Sequence, residues 1–443
     1  MLKAVTLAAV LFVTAVAVGL VRGAEPPAAD VNAPQTLSEY LQYAALHNAG
    51  LKAAFEEWKA ALEQVPQAKA LPDPTFTYDY FIEQIETRQR VGLMQVFPWF
   101  GKIEARTDAA AAAAKAAQKR YETRKLQLFF DTKEAFYEYR YLASAIEVAK
   151  ETLNLTKHFE EVARAKYLTA TATHPDIIRA QIQVVEMEYR LTALERAREP
   201  NVAKLNAVLN RPAESPLPWP RQEQAAPVAI DRQALVSSLK ERNPELQAMG
   251  FDVEQLQRQV DVARKNFYPD IGLGVEWMEM NMGPMSGDDD VMLGVQLNVP
   301  IWRRSYKAGE LQARAAARRA QYEKRNAEND LTARLARALY EYEDSGRRVD
   351  LYGKTLVPKA VELIGACEAA YMAGTIDFLS LIDAQRTLLD YRLEYERALA
   401  TRQQKLAELE MLVGTDLSAG AAAPKVGEGM SSDAKPAAAG KQE

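Results

Sequence analysis

The sequence holds few of the residues that usually build disulfides, metal sites or redox centres. Its 443 residues include one cysteine and three histidines. Cys367 cannot form a disulfide within the chain, and it does not follow the N-terminal apolar run, where a lipid-bearing cysteine would stand. The histidines His47, His158 and His174 lack the spacing of metal ligands. We therefore expect no metal site and no cofactor, and a small packed role for Cys367.

The sequence also lacks the motifs of common enzymes and the charge of a nucleic-acid-binding protein. It contains no nucleophile elbow around a serine and no glycine-rich loop that could cradle phosphates. The formal net charge is only -5 at pH 7, without the basic excess expected of a protein that binds nucleic acid. We expect neither catalysis, ATP hydrolysis included, nor nucleic-acid binding.

Long apolar runs are missing everywhere except at the N-terminus. There Lys3 precedes a predominantly apolar run over 4–21, and small residues that suit cleavage after Gly23 follow. This order predicts a secretory signal peptide over 1–23. The alternative is a transmembrane anchor, but the small residues at the end of the apolar run are more typical of a cleaved segment. No later stretch approaches the roughly 18 apolar residues of a spanning helix. An exported chain of this kind is either soluble or a β-barrel.

The sequence does contain an internal repeat. The run GLMQVFPW at 92–99 returns as GVQLNVPI at 294–301, and FYEY at 136–139 returns as LYEY at 339–342. Because the order is kept and the offset stays near about 200 residues, we predict two structural repeats, over 36–220 and 228–417. A proline-rich linker over 212–227 separates them. The tail, 418–443, is poor in large apolar residues, and we expect it to be disordered.

The sequence of each repeat predicts the same order of elements: a helix, two strands, a long helix, a turn and a further helix. Residues 102–174 contain neither proline nor glycine, and their apolar residues recur at helical spacing. Most of this stretch can form one helix of about 65 residues, ~100 Å long. The second repeat predicts a matching helix from Arg304 to about Leu356, with breaks tolerated at Gly346 and Gly353.

Four short segments alternate with a period of two, which predicts strands. They cover about 76–83, 91–97 (with Gln95 as an exception), 271–277 and 291–299. One apolar face over about 9–11 residues is typical of transmembrane barrel strands; the alternative is the edge of a soluble sandwich. Four strands do not enclose a useful lumen, and lipid does not tolerate open edges, so we expect several chains to share one barrel.

Three motifs are similar to those of the TolC-like outer-membrane efflux family. They are FPWFGK at 97–102, VPIWR at 299–303 and YMAGTIDFLSLIDAQ at 371–385. The first repeat departs from the third motif, with Ala170 in place of the glycine and Pro175 after His174. The resemblance covers about 36–417. It implies a mainly α fold with a β-barrel part: a homotrimer with a shared 12-stranded transmembrane β-barrel in the outer membrane and a long α-helical barrel through the periplasm.

The resemblance also implies sites at the helical turns. Contact with a periplasmic adaptor protein would fall on Thr169, Ala170, Thr171, Ala373, Gly374 and Thr375. A periplasmic gate would contain Asp383, which matches one acidic position of the family, Ser380 at the second such position, and Asp377 nearer the turn. The alternatives are that Asp377 caps a helix N-terminus and that Asp383 is a solvated surface residue. The implied partners are the adaptor, an inner-membrane pump of the RND type and outer-membrane lipid.

Five methionines cluster in and after the third predicted strand: Met278, Met280, Met282, Met285 and Met292. Their thioethers would suit Cu(I), although flexible apolar filling near a loop is the simpler interpretation. Together with the resemblance, the sequence predicts a passive outer-membrane efflux duct for heavy-metal ions or small toxic compounds. Two alternatives are the outer-membrane duct of a type I protein secretion system and a periplasmic coiled-coil scaffold.

Overall fold

The computed structural model describes residues 34–83, 87–170, 172–221, 228, 230–280 and 290–417. The predicted signal peptide and tail lie outside the described residues, as do Thr171, Met282 and Met285. The first repeat contains helices and strands in this order: α1 (Leu37–His47), α2 (Ala49–Lys69), β1 (Thr75–Tyr80), β2 (Thr87–Phe97), α3 (Lys102–Leu168), α4 (His174–Arg196) and α5 (Arg198–Leu209).

The second repeat follows the same plan. Its elements are α6 (Arg232–Arg242), α7 (Pro244–Lys265), β3 (Ile271–Met280), β4 (Asp290–Leu297), α8 (Arg303–Leu351), a π-helical segment (Tyr352–Leu356), α9 (Val357–Met372) and α10 (Phe378–Val413). The internal duplication and the mainly helical fold class are therefore confirmed. The repeat boundaries at 36–220 and 228–417 stay predictions.

The long helix α3 forms as its sequence predicts. It spans 67 residues, which corresponds to about 100 Å at 1.5 Å per residue. Its start is set by Gly101, whose φ of 79° turns the chain out of β2 in a left-handed conformation. Alanines on its buried side, among them Ala105, Ala109 and Ala112, leave room for close approach by α2 and α7, which pack along it.

The second long helix changes register near its end. The predicted helix from Arg304 to about Leu356 is α-helical only to Leu351, and a π-helical segment follows. Pro358 stands in the first turn of α9 and has no N–H to donate to the carbonyl four residues earlier. Gly353 allows the ring of Tyr395 to lie against the segment, since a Cβ at Gly353 would come within 2.6 Å of that ring.

The four strands form one antiparallel sheet in the order β1-β2-β3-β4. Phe76 pairs with Leu93, Leu93 with Val275, and Val275 with Leu293. Paired residues lie on the same face of a sheet, so the apolar sets predicted separately for four segments form one continuous face. Within the described residues, β1 and β4 each present an unpaired outer edge.

The helices pack into a long bundle that carries this sheet at one end. One apolar cluster joins α6, α8 and α10 through Leu239, Leu335 and Leu409. A second joins α3, α4, α9 and α10 through residues such as Phe159, Ala180 and Leu381. The second cluster lies at the end of α3 that is remote from the sheet. Within the described residues, no helix combines the length and the apolar character needed to cross a membrane.

Candidate functional site

Two helical turns meet at the end of the bundle remote from the sheet. One joins α3 to α4 and the other joins α9 to α10. The ammonium of Lys166 donates a hydrogen bond to the backbone carbonyl of Tyr371 and lies 4.8 Å from the centroid of its ring. Phe378 packs on the same ring, with the two centroids 5.5 Å apart. These contacts place the predicted adaptor-contacting residues of both repeats side by side.

The two turns share a backbone conformation despite their different sequences. Ala170 and Gly374 have φ values of 57° and 76°, both left-handed. In each turn the N–H of this residue donates to the carbonyl three residues earlier, at 2.9 Å to Tyr167 and 3.0 Å to Tyr371. Of the predicted tip residues, Thr169, Ala170, Ala373, Gly374 and Thr375 are exposed, and Thr171 lies outside the described residues.

The helices that leave the turns both begin with a hydrogen bond from a hydroxyl to a carboxylate three residues away, but the two groups have exchanged positions. Asp377 precedes α10, and its carboxylate accepts the backbone N–H of Ser380 at 3.0 Å and the Ser380 hydroxyl at 2.6 Å. In α4 the carboxylate is Asp176, which accepts the Thr173 N–H at 3.1 Å and its hydroxyl at 2.7 Å. The hydrogen bonds from the hydroxyl and N–H of Ser380 hold the pKa of Asp377 below its usual value.

The three predicted gate residues therefore differ in what they contact. Asp377 is an N-cap, and Ser380 is its hydrogen-bond donor. The carboxylate of Asp383 is exposed and makes no hydrogen bond or ion pair within the described part of the chain, where the residue's recorded bond is from Thr387 to its backbone carbonyl. Of the three, Asp383 has the side chain free to act on a solute.

Polar contacts near Asp383 tie α10 to α4, and the sequence did not predict them. The guanidinium of Arg386 donates to the Gln183 amide oxygen at 2.7 Å and lies 3.1 Å from the Glu186 carboxylate. Arg190 pairs with Asp390 at 3.7 Å. The spacing of Asp383, Arg386 and Asp390 could have predicted these contacts. Steps of three and four residues place the three charged side chains on one side of α10.

The sheet forms the second functional surface, and its two faces differ in chemistry. Opposite the apolar face lies a face with residues such as Thr77, Gly92 and Glu276. On this second face Arg90 pairs with Asp79 at 2.6 Å. Two of the predicted methionine cluster, Met278 and Met292, also lie on it, because they pair with Arg90 and Glu276. The thioethers therefore share a face with charged residues.

The histidines lie apart from one another. His47 contacts the carbonyl of Tyr43 at 3.0 Å, His158 lies 3.5 Å from a Glu368 carboxylate oxygen, and His174 packs near Tyr167. Among the described residues, no group of three or more histidine, cysteine, aspartate or glutamate side chains is arranged to hold a metal ion.

The sequence pattern that defines the family described as "Outer membrane efflux protein" matches residues 40–211 and 235–415. These two segments cover most of the chain and fall within its two repeats. The chain belongs to the outer membrane efflux protein family. The predicted resemblance is thereby confirmed.

Individual members of the family agree with this assignment. The chain is 22% identical to the cobalt-zinc-cadmium resistance protein CzcC of Cupriavidus metallidurans, over 86% of this chain and 90% of the relative. It is also 22% identical to the probable efflux pump outer membrane protein TtgC of Pseudomonas putida, over 65% and 60% of the two chains.

Solved structures show the same fold. The outer membrane protein VceC of Vibrio cholerae superposes with a TM-score of 0.73 at 17% identity, over 86% of this chain and 96% of that one. The open outer membrane channel MtrE of Neisseria gonorrhoeae gives 0.72 at 20% identity, over 87% and 90%. The predicted fold class is confirmed by these likenesses.

Proposed function

We propose that three copies of this chain form a passive export duct that crosses the outer membrane and extends through the periplasm. The observation that carries the proposal is the sheet: a continuous apolar face, a polar face, and two outer edges unpaired in the described chain. Exposed backbone edges are costly in lipid, and joining β4 of one copy to β1 of the next removes them. The apolar face then meets lipid and the polar face lines the lumen.

The helical bundle supplies the rest of the duct. Helix α3 extends about 100 Å from the sheet, so the turns containing Ala170 and Gly374 would lie deep in the periplasm. There the exposed residues of both turns would meet a periplasmic adaptor and, through it, an inner-membrane pump of the RND type. Transport energy would come from that pump, and the duct itself would carry out no reaction.

The names of the relatives favour efflux over protein secretion. CzcC is named for resistance to cobalt, zinc and cadmium, and TtgC is named as an efflux pump protein. We infer that the cargo of this duct is heavy-metal ions or small toxic compounds. Carboxylates and thioethers on the polar face of the sheet are compatible with the passage of metal cations.

We infer further that Asp383 belongs to the gate. In a trimer, three copies of its unpaired carboxylate around one axis would attract a cation and hold the aperture closed. Asp377 and Ser380 would act at the gate indirectly, because their mutual hydrogen bonds fix the start of α10.

The test is ion conductance of the purified chain in planar bilayers. The chain should insert and pass ions at a low level, and Asp383→Ala should raise this resting leak. Asp350→Asn is the matched control, since it removes an exposed carboxylate on α8 that pairs with Lys354 at 2.7 Å. A chain that never inserts would overturn the duct. Unchanged leakage in Asp383→Ala would remove Asp383 from the gate and leave the duct standing.

A further inference from the structure

At one end of the sheet, three strands meet the helices at the same level. Phe97 at the end of β2 pairs with Ile271 at the start of β3, and Ile271 pairs with Leu297 at the end of β4. The residues just beyond these three must therefore lie close together around the strand–helix junction. They include the turn into α3, the residues between α7 and β3, and the turn into α8.

Large aromatic side chains are exposed at this junction. Phe100 is 79% exposed, Tyr268 is 49% exposed and Trp302 is 74% exposed. They lie just beyond the last paired residues of the sheet, since Phe100 follows Phe97, Tyr268 precedes Ile271 and Trp302 follows Leu297. Tyr268 is held in place by the ring of Trp99, which stacks on it with the centroids 5.7 Å apart. Aromatic side chains at the boundary of an apolar band are typical of the headgroup level of a membrane.

Cations without partners accompany these rings. Arg303 and Arg304 are exposed, and within the described residues neither makes a hydrogen bond through its side chain or an ion pair. The ammonium of Lys265 lies beside the turn into α3, where a Cβ at Gly101 would be 3.1 Å from it. These three side chains place positive charge at the same strand–helix junction as the exposed aromatic rings.

Two acids close to the junction in the sequence, Asp270 and Glu310, already have cationic partners within the chain. Asp270 is engaged by Lys102, whose ammonium lies 2.7 Å from its carboxylate. Glu310 accepts from Lys307 at 2.9 Å and from Arg264 at 3.3 Å, as well as from Arg314. Helix stability does not account for the positive charge at the junction, since cations in the first turn of α8 face the positive end of the helix dipole.

We propose that the junction surface, formed by Phe100, Tyr268, Trp302, Lys265, Arg303 and Arg304, binds anionic phospholipid headgroups. The lipids are those of the leaflet on the helical side of the membrane, and this placement rests on the proposed function. The three cations pair with the lipid phosphates, while the aromatic rings lie at the acyl boundary. A lipid supplies both the charge and the apolar contact, whereas a soluble phosphate supplies only the charge.

The test measures lipid selection by the full-length protein. The purified chain is inserted into vesicles that contain equal amounts of phosphatidylglycerol and phosphatidylethanolamine with identical acyl chains. It is then extracted, and the lipids that it retains are counted by native mass spectrometry. The wild type should retain an excess of phosphatidylglycerol. Arg303→Gln with Arg304→Gln should reduce that excess by about fivefold for each charge removed.

Arg318→Gln with Arg319→Gln is the matched control, because both arginines are exposed on the same helix but well away from the junction. This pair should keep the wild-type excess, and millimolar inorganic phosphate should not abolish it. Three results would overturn the proposed lipid binding at the junction surface. They are loss of phosphatidylglycerol selection in both variant pairs, unchanged selection in Arg303→Gln/Arg304→Gln, and removal of selection by phosphate. A wild type that inserts without selection also overturns the proposed lipid binding, whereas failure to insert refutes the proposed duct instead.

Discussion

Single residues at the two helical turns show how the repeats have diverged while keeping one geometry. Gly374 adopts its left-handed φ of 76° freely, and a Cβ there would meet no atom within 4 Å. Ala170 adopts φ 57° in the first repeat, although its Cβ makes this conformation cost about 1–2 kcal/mol. The Cβ of Ala170 therefore strains its turn, whereas Gly374 adopts the same conformation without strain.

We expect Ala170→Gly to raise the free energy of unfolding by about 1 kcal/mol and Gly374→Ala to lower it by about the same amount. Thermal unfolding of the purified protein in detergent measures both. Ala373→Gly is the control: Ala373 has a right-handed φ of -72°, so glycine there should destabilise. If Ala170→Gly destabilised like this control, the left-handed turn in the first repeat would be wrong.

The sequence predicted where the turns lie, but it did not determine the role of every side chain in them. The motif around Asp377 allowed both a cap and a gate role, and the structure shows the cap. In the first repeat the hydroxyl and the carboxylate are exchanged, since Thr173 precedes α4 and donates to Asp176 three residues later. Such an exchange keeps the geometry of the helix start while changing the order of residues, so alignment of the repeats alone does not reveal it.

At the scale of elements, the long helices followed from their composition, whereas the π-helical segment did not. The absence of proline and glycine, together with the helical spacing of the apolar residues, predicted α3 almost in full. In the second repeat, the sequence predicted tolerated breaks at Gly346 and Gly353, and the π-helical segment contains the second of them. The π-helical register there also depends on the ring of Tyr395 in α10, which lies against Gly353. A single contact between two helices produces no periodic pattern in the sequence of either helix, so the sequence did not predict it.

Gly353→Ala tests this contact. Its Cβ would lie 2.6 Å from the Tyr395 ring, and overpacking of this kind costs about 1–3 kcal/mol of stability. Tyr395→Leu in the same chain should restore most of the loss, as measured by thermal unfolding. Gly365→Ala in α9 is the control, because nothing lies within 4 Å of its Cβ, and it should stabilise by about 0.5–1 kcal/mol. Equal changes in stability for Gly353→Ala and Gly365→Ala would show that the Tyr395 ring does not constrain the π-helical segment.

At the scale of the whole molecule, the proposed duct accounts for both the exposed apolar face, which meets lipid, and the open strand edges, which pair between copies. Leu293 is 83% exposed in the single chain, as part of an apolar face that runs across all four strands. Two copies would supply eight strands, a number at which side chains fill the interior of a barrel. Three copies would supply twelve and leave a lumen. The alternation of the strands predicted the apolar face, but the number of copies came from the family resemblance.

Cysteine cross-linking between the outer strands of neighbouring copies tests the number of copies in the assembly directly. In a Cys367→Ala background, Tyr78→Cys on β1 is combined in turn with cysteine at Val291, Leu293, Val295 or Leu297 on β4, all on the apolar face. Since a buried face specifies one strand register, one of the four positions should cross-link much more than the others. A cyclic interface closes on itself, so denaturing gels should show species of two and three chains and nothing larger. Gln296→Cys lies on the opposite face and should cross-link poorly. A ladder that continues beyond three chains would mean an open assembly, which could not form a sealed duct.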